Sequence, residues 1–347
     1  MQDIAARAGV TKAAVSFALN GRPGVSEPTR RRILAIADEL GWQPSAAAVA
    51  LSDGRADAFG LVVDRPASTL GLEPYFMQLI SGIQSELSTT ATPLLFTMAE
   101  DQQAELATYR SWWARRRVDG VFLVDMRDPD PRVPVLTELG MPTLVIGSPA
   151  TAGGLPAIWH DDAAAARTVL AHLTGLGHRR IGRVSGPEQL HHTRVRGDAF
   201  AAGAAELGLE YVTVPADYSG EAGAQATRAL LSRDPRPTAI VYDNDVMALS
   251  GLTATQSLGL SVPGDVSLVA WDDSALCGLV NPPLTALSRD IAAYGAHAAR
   301  QLRALAAGTP VGDLQDPAPS SSPAAARGPF RGAVNCASNT PRAEVRP

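Results

Sequence analysis

Lysine is all but missing from this 347-residue chain: of its 30 lysines and arginines, only Lys12 is a lysine. Cysteine is almost as scarce. Cys277 and Cys336 are the whole supply, so no disulfide framework carries the fold, and a reducing, cytoplasmic setting is expected. No apolar run approaches the roughly 20 residues needed to cross a bilayer, and the start lacks the charged-then-apolar pattern of a secretory leader. Neither a G-x-G-x-x-G nor a P-loop pattern occurs. The nearest approach to a nucleophile elbow, Gly182-Arg183-Val184-Ser185-Gly186, has the wrong spacing. His191 and His192 are adjacent and would point apart on a helix or strand, so no metal site is expected, and His160 and His178 are assigned to structure. These absences argue against an enzyme, a cofactor, a metal centre and a membrane protein.

What is present is unevenly distributed. The net charge is −5, but residues 1–37 hold six cationic side chains against two acidic ones, a net +4 that leaves −9 for the remainder. A basic head on an acidic body fits nucleic acid for the head and another partner for the body.

The basic head has an internal pattern. In DIAARAGVTKAAVSFALNG (3–21), Ile4, Ala5 and Ala8 share an apolar side and Gly9 supplies a bend. Ala14, Val15, Ala18 and Leu19 then recur with helical spacing, with Thr11 as N-cap and Asn20-Gly21 as stop. Two small-residue helices around a tight turn make a helix-turn-helix, whose second helix can enter a DNA major groove. Ser26, Pro28 and Gly41 bound a third helix, whose Ile33, Ile36, Ala37 and Leu40 close a small core. An alanine-rich segment, Ser45–Ser52, follows and is too short to be a stable helix alone.

From Phe59 onward, apolar runs alternate with helical stretches. Strands are expected at 59–64, 93–98, 120–125, 142–147, 180–186, 238–243 and 265–272. Helices are expected at Tyr75–Leu87, Asp101–Arg117, Asp162–Leu176, Arg196–Leu207, Gly220–Arg233 and Asp245–Leu258. Such alternation implies doubly wound parallel sheets, with too many units for one sheet and hence two lobes clamping a ligand between them.

The head sequence AARAGVTKAAVSFALNGRPGVSEPTRRRIL, continued by ELGWQP and SAAAVAL, resembles the lactose-repressor/galactose-repressor family of bacterial transcription factors. The body strings RRRVDGVFLV, LGHRRIG, RPTAIVYDNDVMAL, GLSVPGDVSLVAWDD and NPPLTAL are similar to the same family. The resemblance implies an N-terminal all-α helix-turn-helix head plus an α/β periplasmic-binding-protein-like body of two doubly wound parallel-sheet lobes. It divides the chain into a DNA-binding head (1–43), a hinge helix and linker (44–57), an effector-binding and dimerisation body (58–316) and a tail (317–347).

By position, the resemblance gives Lys12, Ala13 and Phe17 base-reading places, and Ser16, Asn20, Ser26, Thr29 and Arg30 phosphate-contacting or packing ones. Leu51 matches the leucine that wedges into the minor groove. Phe17 stands where the family usually has arginine, so an atypical operator is expected. The effector contacts implied are Asp64, Tyr75, Phe76, Arg194 (in Arg194-Val-Arg-Gly197), Asn244 and Asp272, with Asp245 either joining them or capping its helix. Carboxylates, an arginine fork and an aromatic ring face suit a polyol. The expected molecule is a homodimeric repressor of operator double-stranded DNA, controlled by a small carbohydrate effector. The alternatives are a solute-binding protein and a doubly wound enzyme acting on a sugar.

The family resemblance also carries two expectations about the ends. No hydroxyl cap precedes Asp3, so the first helix is expected to be poorly capped and the natural start to lie upstream. Beyond Asp316 the family's closing strand, of the kind Glu-Leu-Val-x-Arg-Gly-Ser, is replaced by Pro319-Ser-Ser-Ser-Pro-Ala-Ala-Ala326. GC-rich codons for that stretch, read one base back, spell Glu-Leu-Val-Ala-Arg-Gly-Ser. A frameshifted, disordered tail and a body without its closing strand are therefore expected.

Overall fold

The computed structural model describes residues 1–19, 21–42 and 55–316, together with the backbone of Phe330–Arg331. Asn20, the segment containing Leu51 and most of the tail lie outside the described residues. The chain divides into two compact units, Met1–Ala56 and Asp57–Pro347.

The head consists of α1 (Gln2–Ala8), α2 (Lys12–Leu19) and α3 (Glu27–Glu39). Ile4, Ala8, Val15, Ala18, Ile33 and Ala37 form its core, and small residues let the helices approach closely. Gly9 and Gly41 take the left-handed conformation, with φ of 66° and 58°, that ends a helix cheaply only at glycine. Thr11 caps α2, its Oγ1 accepting from the Ala14 N–H at 3.2 Å. Met1 stands at the start of α1 with no side-chain cap bond. Ser26 precedes α3 as expected, but its hydroxyl pairs with Thr29 Oγ1 at 2.9 Å instead of a backbone N–H.

The first lobe of the body runs through β1 (Phe59–Val63), α4 (Ala67–Leu70), α5 (Pro74–Ser88), β2 (Leu94–Met98), α6 (Gln102–Ala114), β3 (Gly120–Leu123), α7 (Arg132–Leu139), β4 (Thr143–Ile146) and β5 (Ala157–Trp159). The second follows with α8 (Asp162–Gly175), β6 (Arg180–Ser185), α9 (His191–Glu206), β7 (Glu210–Pro215), α10 (Gly220–Leu231), β8 (Ala239–Tyr242), α11 (Asp245–Ser257), β9 (Ser267–Ala270), α12 (Ala275–Leu279) and β10 (Thr285–Leu287). The chain then returns to the first lobe with α13 (Ile291–Ala306) and β11 (Leu314–Gln315). The two sheets have matching orders, β11-β5-β4-β3-β1-β2 and β12-β10-β9-β8-β6-β7, where β12 is Phe330–Arg331. β1, β3, β4, β8, β9 and β10 are buried along their whole length, because helices cover both faces of each parallel sheet.

α13 docks on α5 through paired glycines. A Cβ on Gly82 would lie 1.9 Å from the Ala292 carbonyl oxygen, and one on Gly295 would lie 2.3 Å from that of Leu79. The return helix is thus held backbone to backbone against the first lobe.

The seven expected strands are all present. β5, β7, β10 and β11, and helices α4, α7, α12 and α13, are additional, and α9 starts at His191 instead of Arg196. The expectation of an uncovered second sheet is corrected: Phe330 and Arg331 pair antiparallel with Leu287 and Ala286. The backbone groups of β10 that face away from β9 recruit these residues. Among the described residues no helix is long and apolar enough to cross a membrane.

Candidate functional site

Strand ends from both sheets converge on a cavity of about 250 Å³. This is where doubly wound sheets place ligands, and the volume lies near the small end of ligand pockets. Arg65 follows β1, Asp125 follows β3, and His160 and Asp162 follow β5. From the second lobe come Asp243 after β8, Asp272 after β9 and Arg289 beyond β10, with His192 and Arg196 from α9. Glu73, Tyr75, Trp159, Tyr218 and Tyr294 supply further polar tips and ring surface.

The charged groups are paired. Arg65 forks onto Asp125 at 2.7 and 3.0 Å and also reaches Glu73 at 3.0 Å. Its guanidinium lies 5.1 Å from the Phe76 ring centroid and 4.5 Å from that of Tyr218, so it joins an aromatic of each lobe. Arg196 meets Asp162 at 3.2 Å over the Trp271 ring at 4.2 Å. Arg289 meets Asp272 at 2.8 Å and Asp162 at 3.5 Å. Behind the wall, buried Arg183 forks onto Asp243.

Burial opposes ionisation of Asp125, but the Arg65 charge wins and holds its carboxyl below the usual range. Asp162 is likewise lowered, burial being outweighed by Arg196 and Arg289. Glu73, with burial dominant over the opposing Arg65, is pushed up to about 7. Burial, helped by nearby arginines, pushes His160 down to about 3 and His192 to about 4, so both are neutral near pH 7.

A pH prediction follows from the two histidines. The unfolded chain takes up their protons below about 6.5 while the folded chain does not, so their stabilising contribution is present above that pH and falls towards pH 4. Each contributes a slope of up to about 1.4 kcal/mol per pH unit. Glu73 acts in the opposite sense between pH 4.5 and 7, because its folded pKa is raised. Comparing urea unfolding of the protein with that of His192→Gln isolates one group. The variant is expected to lose about 2 kcal/mol less between pH 7 and 5; parallel pH profiles would contradict this.

Of the residues expected at the site, Tyr75 and Asp272 line the cavity. Four others lie elsewhere. Asp64 pairs with Arg127 at 2.7 Å, since consecutive residues at a strand end face opposite ways and Arg65 takes the inward place. Phe76 is buried in the core behind Arg65. Asn244 caps α11, accepting from Met247 N–H at 2.8 Å and donating to the Tyr218 carbonyl at 3.1 Å. Asp245 is therefore the first helical residue and not the cap; burial raises it to about 6. Arg194 stays 42% exposed in its side chain and pairs with Asp128 of the first lobe at 3.1 Å. Its place is taken by Arg196, which follows His192 by four residues and so shares its inward face. Asp125, Asp162 and Arg289 each follow a strand with no motif around them that marks a site residue. His160, assigned to structure, lines the cavity, whereas His178 is structural, bonded to Thr238 and Ser267 at 2.9 and 3.1 Å.

In the head, Lys12, Ala13 and Phe17 are exposed on one side of α2, with Ser16 half-buried between them. Phe17, 39% exposed, lays its ring against Gly24. Lys12 Nζ donates to Gln2 Oε1 at 3.0 Å, and Arg30 donates to the Arg22 carbonyl at 2.7 Å. Ser26 and Thr29 sit at the start of α3. Asn20 and Leu51 lie outside the described residues.

Comparison with known proteins bears on both units. A family model described as bacterial regulatory proteins, lacI family, matches residues 1–45, and one described as a periplasmic binding protein-like domain matches 170–319. The HTH-type transcriptional regulator MalR of Streptomyces coelicolor is 34% identical over 323 residues, covering 89% of this chain and 91% of its own. The HTH-type transcriptional regulator CelR of Thermobifida fusca is 30% identical over 311 residues, covering 87% and 90%. Among solved structures, the transcriptional regulator CelR–cellobiose complex matches with a TM-score of 0.68 at 28% identity, over 90% of this chain and 94% of that one. The Lac repressor dimer bound to operator and the anti-inducer ONPF matches with a TM-score of 0.80 at 26% identity, again over 90% and 94%. These proteins are regulators, which sets aside the enzyme and solute-binding alternatives.

Proposed function

We infer, for a chain that belongs to the lacI family of bacterial regulatory proteins and is a DNA-binding transcriptional regulator, that it is a cytoplasmic, homodimeric repressor released or engaged by a saccharide. The observation that carries this reading is the cavity itself: arginine–carboxylate pairs and the aromatic side chains of Tyr75, Trp159 and Tyr218 meet at strand ends of both lobes. Such groups bind vicinal hydroxyls and stack on sugar rings. The relative solved with cellobiose supports a saccharide of that class. The effector contacts are Tyr75, Asp272, Arg65, Asp125, Asp162, Arg196 and Arg289, each of which lines the cavity. A ligand touching both lobes favours one lobe arrangement, and with it one DNA affinity. One head reads one half-site, so a pseudo-palindromic operator needs two.

For the head, Lys12, Ala13 and Phe17 face the bases, while Ser16, Asn20, Ser26, Thr29 and Arg30 hold phosphate or position those that do. Leu51 wedges the minor groove. Phe17 offers only apolar contact, as to a thymine methyl. Selecting duplexes from a random pool with the protein and with Phe17→Arg tests the assignment. The variant is expected to prefer guanine at one symmetric pair of positions by about 1–3 kcal/mol. An unchanged motif would show that Phe17 reads nothing.

A further inference from the structure

We propose that the cavity is built for an uncharged saccharide and excludes the phosphorylated and carboxylated forms of the same sugar. This deepens the saccharide reading and rests on it. Three cations other than histidine line the cavity, and none is spare. Arg65 is held by Asp125 and Glu73, Arg196 by Asp162, and Arg289 by Asp272 and Asp162. No lysine is available, because the one in the chain is Lys12 in the head. The carboxylates in the wall outnumber the guanidinium groups even after Asp243 is matched with Arg183 behind it. His160 and His192 are neutral near pH 7 and add no positive charge.

Helix starts are the other common seat for an anion, and those of α8 and α11 carry a side-chain cap. At α8, Asp161 accepts from the Ala164 N–H at 2.7 Å. At α11, Asn244 accepts from Met247 N–H. α9 has no side-chain cap, and of its first turn the His191 N–H donates to the Met126 carbonyl at 2.7 Å. A phosphate carrying about −1.5 to −2 charges would meet a wall of net negative charge and would have to break a buried ion pair to find a cationic partner.

Neutral hydroxyls meet the opposite situation. The carboxylates of Asp125, Asp162 and Asp272 that line the cavity keep lone pairs beyond those their arginines take, so an incoming hydroxyl can donate to them without breaking an ion pair. The wall is thus charge-closed but not hydrogen-bond-closed.

The test is calorimetric titration of the full chain with matched pairs: cellobiose and cellobiose 6′-phosphate, maltose and maltose 6′-phosphate, glucose and glucose 6-phosphate, glucose and glucuronate. At least one neutral sugar is expected to bind, with its anionic partner at least 100-fold weaker. Asp125→Asn, which releases one arm of Arg65, is expected to narrow that gap at least tenfold; Glu73→Gln does the same should Asp125→Asn not fold. An anionic member binding as tightly as its neutral partner overturns the proposal and leaves the saccharide reading standing. Binding by no member of any pair overturns the saccharide reading, and the proposal with it.

Discussion

Replacing Arg196 by alanine is expected to abolish the response to the cavity ligand and to lower the melting temperature by on the order of 10 °C. The guanidinium is buried against Asp162, lies over Trp271 and donates to the Asp243 carbonyl at 3.4 Å. Removing the closer of the two cations on Asp162 leaves only the 3.5 Å contact with Arg289 to compensate a buried charge, at a cost of about 3 kcal/mol. For a body of this size each kcal/mol moves the midpoint by roughly 2–4 °C. A lost charge-assisted hydrogen bond to the ligand weakens binding by about 1.5–3 kcal/mol more, roughly 10–150-fold. Arg194→Ala is the control, two residues away in sequence. Its pair with Asp128 is largely exposed, and the expected cost is below about 1 kcal/mol. Differential scanning calorimetry and ligand titration of the two variants decide the matter. A larger effect from Arg194→Ala would reverse the assignment.

Gly82→Ala is expected to be nearly as damaging, although a single methyl group is added. Its Cβ would sit 1.9 Å from the Ala292 carbonyl oxygen and 2.7 Å from the carbonyl carbon, so backbone and not a side chain must give way. Forcing α5 and α13 apart costs about 3 kcal/mol. The change also reaches the cavity, because α13 carries Tyr294, whose hydroxyl donates to the Ile158 carbonyl at 2.7 Å beside the ligand space. Weaker ligand binding should therefore accompany the lower midpoint. Gly175→Ala, at the last residue of α8, has nothing within 4 Å of its new Cβ and should shift stability by less than about 1 kcal/mol. Equal midpoints for the two variants would show that the helices do not meet as described.

The parallel strands were legible because burial on both faces leaves a continuous apolar run, as in Gly120–Leu123, bounded by turn residues. β5 and β10 were not, since three residues carry no period. The head was legible at the level of single side chains: Thr11, Gly9 and Gly41 do what their chemistry requires at helix ends. The cavity was legible only in outline. Starting α9 at Arg196 hid the one fact that separates Arg196 from Arg194, namely the four-residue spacing from His192. Asp125, Asp162 and Arg289 acquire a role only when strands distant in sequence are laid side by side. Arg65 is hidden for a different reason: the last residue of an apolar run does not announce which way the next one points, and the family resemblance indicates Asp64 instead.

The central claim is that occupancy of the cavity changes the affinity of the head for DNA. Fluorescence anisotropy measures this directly, using the full chain, a labelled duplex from the random-pool selection, and whichever matched-pair sugar binds most tightly. With that sugar at saturation, the dissociation constant for DNA is predicted to change by about 5–150-fold, the range of ordinary allosteric coupling. An identical dissociation constant with and without the saturating sugar would contradict the account.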